Sequence, residues 1–220
     1  MTKQVIIGLH TEGVTDKRFL ESVVKRTFEE VAFECVGDIE ILDIQLIKVP
    51  KQEFIKEVKA AQIGYEKYGI MVLCVHADSD SSTDKDVFEH KILPAFEFAE
   101  ITEEEEICKN LVAVVPIQMI EAWILADKEL FKEELGTDKS DQDLGINKKP
   151  ESLSDPKKTI EEAIKIAFSN LPKRRRKPTI GELYGPIGQK IKMNKLEKLP
   201  SYLKFKEGVR DAFKKLNYLH

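Results

Sequence analysis

The chain has 220 residues, 42% hydrophobic and 34% charged, with a net charge of -4. That composition supplies a sizeable core, for one large domain or one domain with an appendage, and excludes wholesale disorder. The longest uncharged apolar runs, YGIMVLCVHA and NLVAVVPIQMI, fall far short of the roughly 20 residues of a membrane span. The opening MTKQVIIGLHTEG also lacks a signal-peptide layout, so a cytoplasmic protein is expected.

VIIGLH (Val5 to His10) is a short apolar run ended by T-E-G, which predicts a buried strand. From Thr15 the apolar residues Phe19, Leu20, Val23, Val24 and Phe28 recur at helical spacing. IEILDIQLIKV (Ile39 to Val49) reads as a strand closed by Pro50. Lys51 to Lys67 reads as an amphipathic helix with Phe54, Ile55, Val58 and Ile63 inward. GIMVLCVHA is the most hydrophobic strand and the natural centre of a sheet. Asp84 to Phe98 is a predicted helix, EEEE (Glu103 to Glu106) a solvated turn and NLVAVVP another buried strand. Met119 to Leu135 is a predicted helix capped by Gly136.

This alternation predicts an α/β fold: a mostly parallel sheet of about four strands with helices on both faces. It spans residues 1–136. A polar segment, 137–154, follows as a linker or loop, and 155–220 is a basic helical region opened by Asp155 and Pro156. From Leu171 to His220 there are 14 Lys/Arg against 4 Asp/Glu, a balance of +10, so the rest sums to -14. A basic tail beside an acidic body points to an anionic partner for the tail and cations for part of the body. Uneven surface charge is the plainer alternative.

Several motifs fail. GLHTEGVT nearly matches a phosphate-binding loop, but Val14 stands where the lysine belongs, which excludes ATP binding by this route. HADSDSSTDKDVFEH has the acid ladder of a calcium loop, but Thr83 occupies the sixth position, where the sharp turn needs glycine. Cys35, Cys74 and Cys108 are odd in number and widely spaced, and make neither a disulfide framework nor a zinc site. His76 reads more readily as a packing residue than as a ligand.

The remaining acids fall at strand ends. Glu12 follows the first strand; Asp78 and Asp80 follow the central one. In a parallel sheet these ends share one edge, where separate loops converge. Crowded carboxylates repel unless a cation neutralises them, and hard oxygens suit Mg²⁺ or Mn²⁺. On extended chain, Asp78 and Asp80 point the same way and can share a metal. Glu121 lies in the first turn of the helix after NLVAVVP and projects toward the same edge, or serves the helix dipole. Asp127 falls within the apolar stripe of that helix, where it is either functional or hydrogen-bonded to backbone.

TEGVTDKRFL after the first strand and VHADSD after a later one resemble the Toprim fold, which joins a glutamate-glycine turn to a D-x-D motif. With E-A-W-x-x-A-D (Glu121 to Asp127) downstream, the chain is similar to small stand-alone Toprim-like proteins. These are relatives of OLD-type nucleases, encoded beside ABC/AAA-type ATPases and linked to phage defence. The resemblance implies divalent-metal-dependent phosphodiester hydrolysis in DNA or RNA. It makes Glu12 an acid/base or metal-bridging group, and Asp78 and Asp80 metal ligands. Glu121 becomes a further catalytic acid. Asp84 is the nearest candidate for a third acid in the D-x-D loop, where Ser82 stands instead. Asp16 and Asp127 would support the ligands from behind. Lys173, Arg174, Arg175, Arg176 and Lys177 are candidates to hold a nucleic-acid backbone. Two rival functions are a non-catalytic effector subunit of an ATPase complex and a phosphoryl-transfer enzyme acting on small molecules.

Overall fold

The computed structural model describes residues 2–102, 107–169 and 176–220. The chain folds as the α/β arrangement the alternation predicts. Strands β1 (Lys3–Val5) and β2 (Ile7–Thr11) lead into helix α1 (Lys17–Ala32), then β3 (Ile39–Ile41) and β4 (Gln45–Leu46). Helices α2 (Phe54–Gln62) and α3 (Gly64–Tyr68) precede the central strand β5 (Val72–His76). A helical run follows: α4 (Lys85–Val87), a π-helical turn Phe88–Ile92, and α5 (Leu93–Ile101). After β6 (Leu111–Val114) come α6 (Glu121–Ile124), α7 (Lys128–Leu135), a 3-10 turn Pro150–Ser152, and α8 (Pro156–Ala167). Helices α9 (Ile180–Lys190), α10 (Met193–Leu196) and α11 (Pro200–Lys215) complete it. Among the described residues no helix is long and apolar enough to cross a membrane.

Four parallel strands form the main sheet in the order β4-β2-β5-β6, and β1 pairs separately with β3. Register aligns Thr11 with His76 and His76 with Val114, so the carboxyl ends of β2, β5 and β6 form one edge. Side chains alternate across the sheet. Leu9, Cys74, Val112 and Val114 face a core with α1 and the later helices, while Leu73 and Val75 face Val58, Ala61, Ala95 and Ala99 of α2 and α5. Every residue of β5 is buried, as its unbroken apolar run requires.

Several expected elements are divided, the helix expected over Asp84–Phe98 among them, which runs as α4, the π-helical turn and α5. The strand expected over Val5–His10 splits between β1 and β2, and that over Ile39–Val49 between β3 and β4. The helix expected over Lys51–Lys67 breaks at Ile63, which is 48% exposed rather than inward. Gly136 takes a left-handed φ of 63° and caps α7 as predicted, and Asp155 caps α8 by accepting from Lys158 N–H at 2.8 Å. The EEEE stretch lies outside the described residues.

The later helices share the first core. Trp123, Ile160, Tyr184, Tyr202 and Phe213 belong to the same apolar cluster as Phe19 and Phe28. Burying each such side chain contributes roughly 1.5–3 kcal/mol. Helix α9 crosses α1 so closely that a Cβ on Gly188 would lie 2.7 Å from the Phe19 carbonyl oxygen. The tail's positive charge is spent partly inside the molecule. Lys190 pairs with Glu134, Lys204 with Asp84, Lys206 with Glu30 and Arg210 with Glu34. A basic region facing an acidic body is thus in part self-complementary.

Candidate functional site

The loop after β2 and the loop after β5 meet at the shared strand edge. Gly13 is needed there for space: a Cβ on it would sit 2.1 Å from Asp16 Oδ2, because the Asp16 carboxylate folds back over the turn. Asp16 is buried at the start of α1, with the Thr15 hydroxyl 3.3 Å from Oδ1. Burial pushes its carboxyl above the usual range; His76 opposes this and Asp78 adds to it.

The D-x-D loop is clamped to the loop after β6. Ser79 N–H donates to the Pro116 carbonyl, Asp80 N–H to that of Gln118, and Gln118 N–H to that of Ser81, at 3.3, 2.8 and 3.0 Å. Asp80 and Gln118 both sit in the left-handed region, at φ 49° and 60°. Each such residue costs on the order of 1 kcal/mol, a cost the clamp offsets. The chain is therefore not extended at Asp80, so the alternation expected to aim Asp78 and Asp80 the same way does not apply. Asp78 Oδ1 accepts from Ile120 N–H at 3.1 Å, just ahead of α6. Asp80 is exposed; partial burial, Asp78 and Glu12 raise its pKa against the pull of Lys91.

His76 is fully buried, as a packing residue would be, yet it stands between two carboxylates. Nε2 lies 3.3 Å from Asp78 Oδ1 and Nδ1 lies 3.9 Å from Asp16 Oδ2. Neither ring nitrogen makes an aligned hydrogen bond. Burial pulls its pKa down, but Asp78, Asp16 and Glu12 outweigh burial and raise it. Among the described residues, Asp16, His76 and Asp78 form a group able to hold a metal ion, each offering a ligand atom within 4.8 Å of the others.

Glu12 is half-buried, with Lys91 Nζ 3.2 Å from both its oxygens. Lys91 comes from the π-helical turn, a kind of irregularity frequent at functional sites. Beyond Glu12 lies a cavity of about 290 Å³ lined by Lys17, Lys48, Lys51, Leu46, His10 and Glu57 among others. His10 Nε2 sits 3.3 Å from Glu57 Oε2, and burial lowers the His10 pKa despite that carboxylate.

Glu121 opens α6 and is 3% exposed. Its Oε1 accepts from the Tyr184 hydroxyl at 2.5 Å, which ties α6 to α9. Burial raises its carboxyl above 4.5; Tyr184 opposes this, and Asp78 reinforces it. A carboxyl raised on folding stabilises the protein fully below its unfolded value, and that contribution is lost as pH rises through the folded value. Ionised Glu121 therefore weighs against the fold at neutral pH. Glu121→Gln, which can still accept from Tyr184, is expected to be the more stable protein near neutral pH. The difference from wild type shrinks as pH falls toward 4.5. Urea melts across that range check this; a difference independent of pH would refute it.

Two further candidates sit elsewhere. Asp84 is paired with Lys204 and lines a groove of about 970 Å³ beside β6 and α11, so it is occupied away from the strand-end acids. Asp127 is 3% exposed and caps α7, its Oδ1 accepting from Leu130 N–H at 3.3 Å. The single helix expected over Met119–Leu135 is two helices, and Asp127 marks the break. Arg176 is exposed and paired with Glu182 at 2.6 Å, Lys177 is exposed, and Lys173, Arg174 and Arg175 lie outside the described residues.

A family model described as a domain of unknown function, DUF4276, matches residues 11–198. The chain belongs to this family. No curated protein and no solved structure matches it. The DUF4276 match takes in both strand-end loops, α6 and Tyr184, and stops short of α11. Within the DUF4276 segment, His76, Lys91 and Glu57 were missed as site residues by sequence reasoning, as was His10, Glu57's partner, just ahead of that segment. The one available signal was a histidine two residues before a D-x-D aspartate, at the end of a wholly apolar strand.

Proposed function

We propose that this protein is a divalent-metal-dependent hydrolase of phosphodiester bonds in DNA or RNA, acting in the cytoplasm with Mg²⁺ or Mn²⁺. The observation that carries this reading is the gathering of Glu12, Asp16, Asp78, Asp80 and Glu121 about one sheet edge, with Asp78 raising the pKa values of Asp16, Asp80 and Glu121. Such repulsion is relieved by a cation, which would polarise a phosphate and lower the pKa of an attacking water. The Toprim resemblance of the E-G-x-T-D turn and the D-x-D loop supports the same chemistry. Glu12, held by Lys91, is the group best placed to exchange a proton with the attacking water. Lys17, Lys48 and Lys51, around the cavity beside Glu12, offer charge to a phosphate backbone.

A second reading is an effector subunit of an ABC/AAA-type ATPase complex, as the resemblance implies. The groove of about 970 Å³, walled by Phe88, Phe96, Leu111 and Phe205, favours it as a surface a partner could use. One assay separates the two. DNA, transfer RNA and ribosomal RNA are each incubated with the chain and Mn²⁺, beside Glu12→Gln and the double variant Asp78→Asn/Asp80→Asn. Cleavage by wild type that both variants lose is expected. Cleavage that survives in both sinks the hydrolase reading, and absence of cleavage together with co-purification of an ATPase favours the second.

A further inference from the structure

His76 carries two buried ring nitrogens that each face a carboxylate, yet neither makes an aligned hydrogen bond. An interior polar atom left unpaired costs about 1–3 kcal/mol, so a side chain with two calls for an explanation. Packing alone does not supply one. Leucine or methionine would fill the same end of β5 without polar atoms, and the ring has a carboxylate facing each of its nitrogens. The distances discriminate between the two sides. Two ligand bonds of about 2.1 Å at angles between a right angle and a tetrahedral one separate their donor atoms by about 3.0–3.4 Å. His76 Nε2 and Asp78 Oδ1 are 3.3 Å apart, inside that span. Asp16 Oδ2, at 3.9 Å from Nδ1, is on the opposite ring nitrogen, where metal-binding histidines commonly meet a carboxylate that fixes tautomer and ring orientation. The Gly13 turn, with no room for a Cβ under Asp16, keeps that carboxylate in place.

We propose that His76 Nε2 and Asp78 together ligate a divalent transition-metal ion, with Asp16 facing Nδ1 as a positioning residue. This deepens the metal-dependent reading above, on which it rests for the role of the ion, by giving the ion a nitrogen ligand. The ion enters from the Asp78 side, the half-exposed side of the group, near Glu12 and Asp80. An imidazole ligand favours first-row transition metals such as Zn²⁺ over Mg²⁺, and Mn²⁺, which also accepts carboxylate ligands, serves as the spectroscopic probe of the mixed site.

The test uses the full chain and Mn²⁺ alone, with no nucleic acid. Pulsed electron paramagnetic resonance of bound Mn²⁺ is expected to show coupling to a ¹⁴N nucleus. That coupling changes to the ¹⁵N pattern in protein grown with ¹⁵N-histidine and disappears in His76→Gln. Asp16→Asn is expected to keep the nitrogen coupling while weakening Mn²⁺ about 10–100-fold. The isotope exchange identifies a histidine ligand without a variant, and His10→Gln, expected to keep the coupling, excludes the histidine beside Glu12, so the test stands even where His76→Gln fails to fold. Bound Mn²⁺ without nitrogen coupling overturns the proposal, as does failure of the chain to bind Mn²⁺ at all. Cleavage is not the readout, so the two readings fail separately. Nitrogen-ligated Mn²⁺ without nuclease activity sinks only the hydrolase, and cleavage with an all-oxygen site sinks only the histidine ligand.

Discussion

If the proposed hydrolase reading holds, Asp78→Asn is expected to lower Mn²⁺-dependent cleavage by about 10³-fold, a loss of roughly 4 kcal/mol of transition-state stabilisation. Asp78 is singled out because three features meet on it. It adjoins His76, it receives the Ile120 N–H that begins the E-A-W helix, and its charge acts on Asp16, Asp80 and Glu121. Asparagine keeps the shape and can still accept from Ile120 N–H, so the fold is retained and the charge alone is removed. The same substitution is expected to abolish any rise in thermal midpoint that Mn²⁺ gives wild type. Asp84→Asn is the control. Its carboxylate is committed to Lys204, and cleavage is expected to stay within about twofold of wild type, since an exposed ion pair contributes little. Initial rates and melts on the two variants decide the matter; equal losses from both would mean that the metal does not sit at the strand-end acids.

The central place of GIMVLCVHA and the edge on which the acids meet were legible because such a hydrophobic run calls for a buried central strand, and parallel topology then fixes where the strand ends go. Element ends were less legible. Apolar periodicity runs straight through Leu125 to Asp127, yet the helix stops there because the Asp127 side chain caps the next one, a local hydrogen bond that periodicity does not register. Ile63 was expected inward for the same reason and lies at a junction between helices instead. The charge of the tail was visible, but its partners were not. Lys206 reaching Glu30 and Arg210 reaching Glu34 depend on α11 lying beside α1, which no local pattern encodes. His76 shows the limit most clearly. Its burial followed from the strand, and Asp78 lies two residues on in the loop after the same strand, but Asp16 comes from the loop after β2, and only the three-dimensional register brings it to the other nitrogen.

Trp123→Ala is expected to cost about 3–5 kcal/mol, a large share of the 5–15 kcal/mol that holds a typical domain. The side chain is fully buried, with ring centroids 5.4 Å from Tyr202 and 6.1 Å from Phe205 of α11. Its indole N–H donates to Ser201 Oγ at 2.7 Å, and Ser201 in turn donates to Glu151 Oε1 at 2.5 Å. One residue thus joins α6, the segment before α8 and the start of α11. Trp123→Phe separates packing from hydrogen bonding: most of the apolar contact survives, Ser201 loses its donor, and the cost falls to about 1–2 kcal/mol. The consequence reaches the acidic cluster. Trp123 lies three residues after Ile120, whose N–H holds Asp78, and two after Glu121, so a loosened α6 loosens both. Urea melts with and without Mn²⁺ are expected to show the larger loss of Mn²⁺ stabilisation in Trp123→Ala and a smaller one in Trp123→Phe. Full Mn²⁺ stabilisation in a Trp123→Ala protein that has lost several kcal/mol would show that the cluster does not depend on α6, and that Asp78 is held by the D-x-D loop alone.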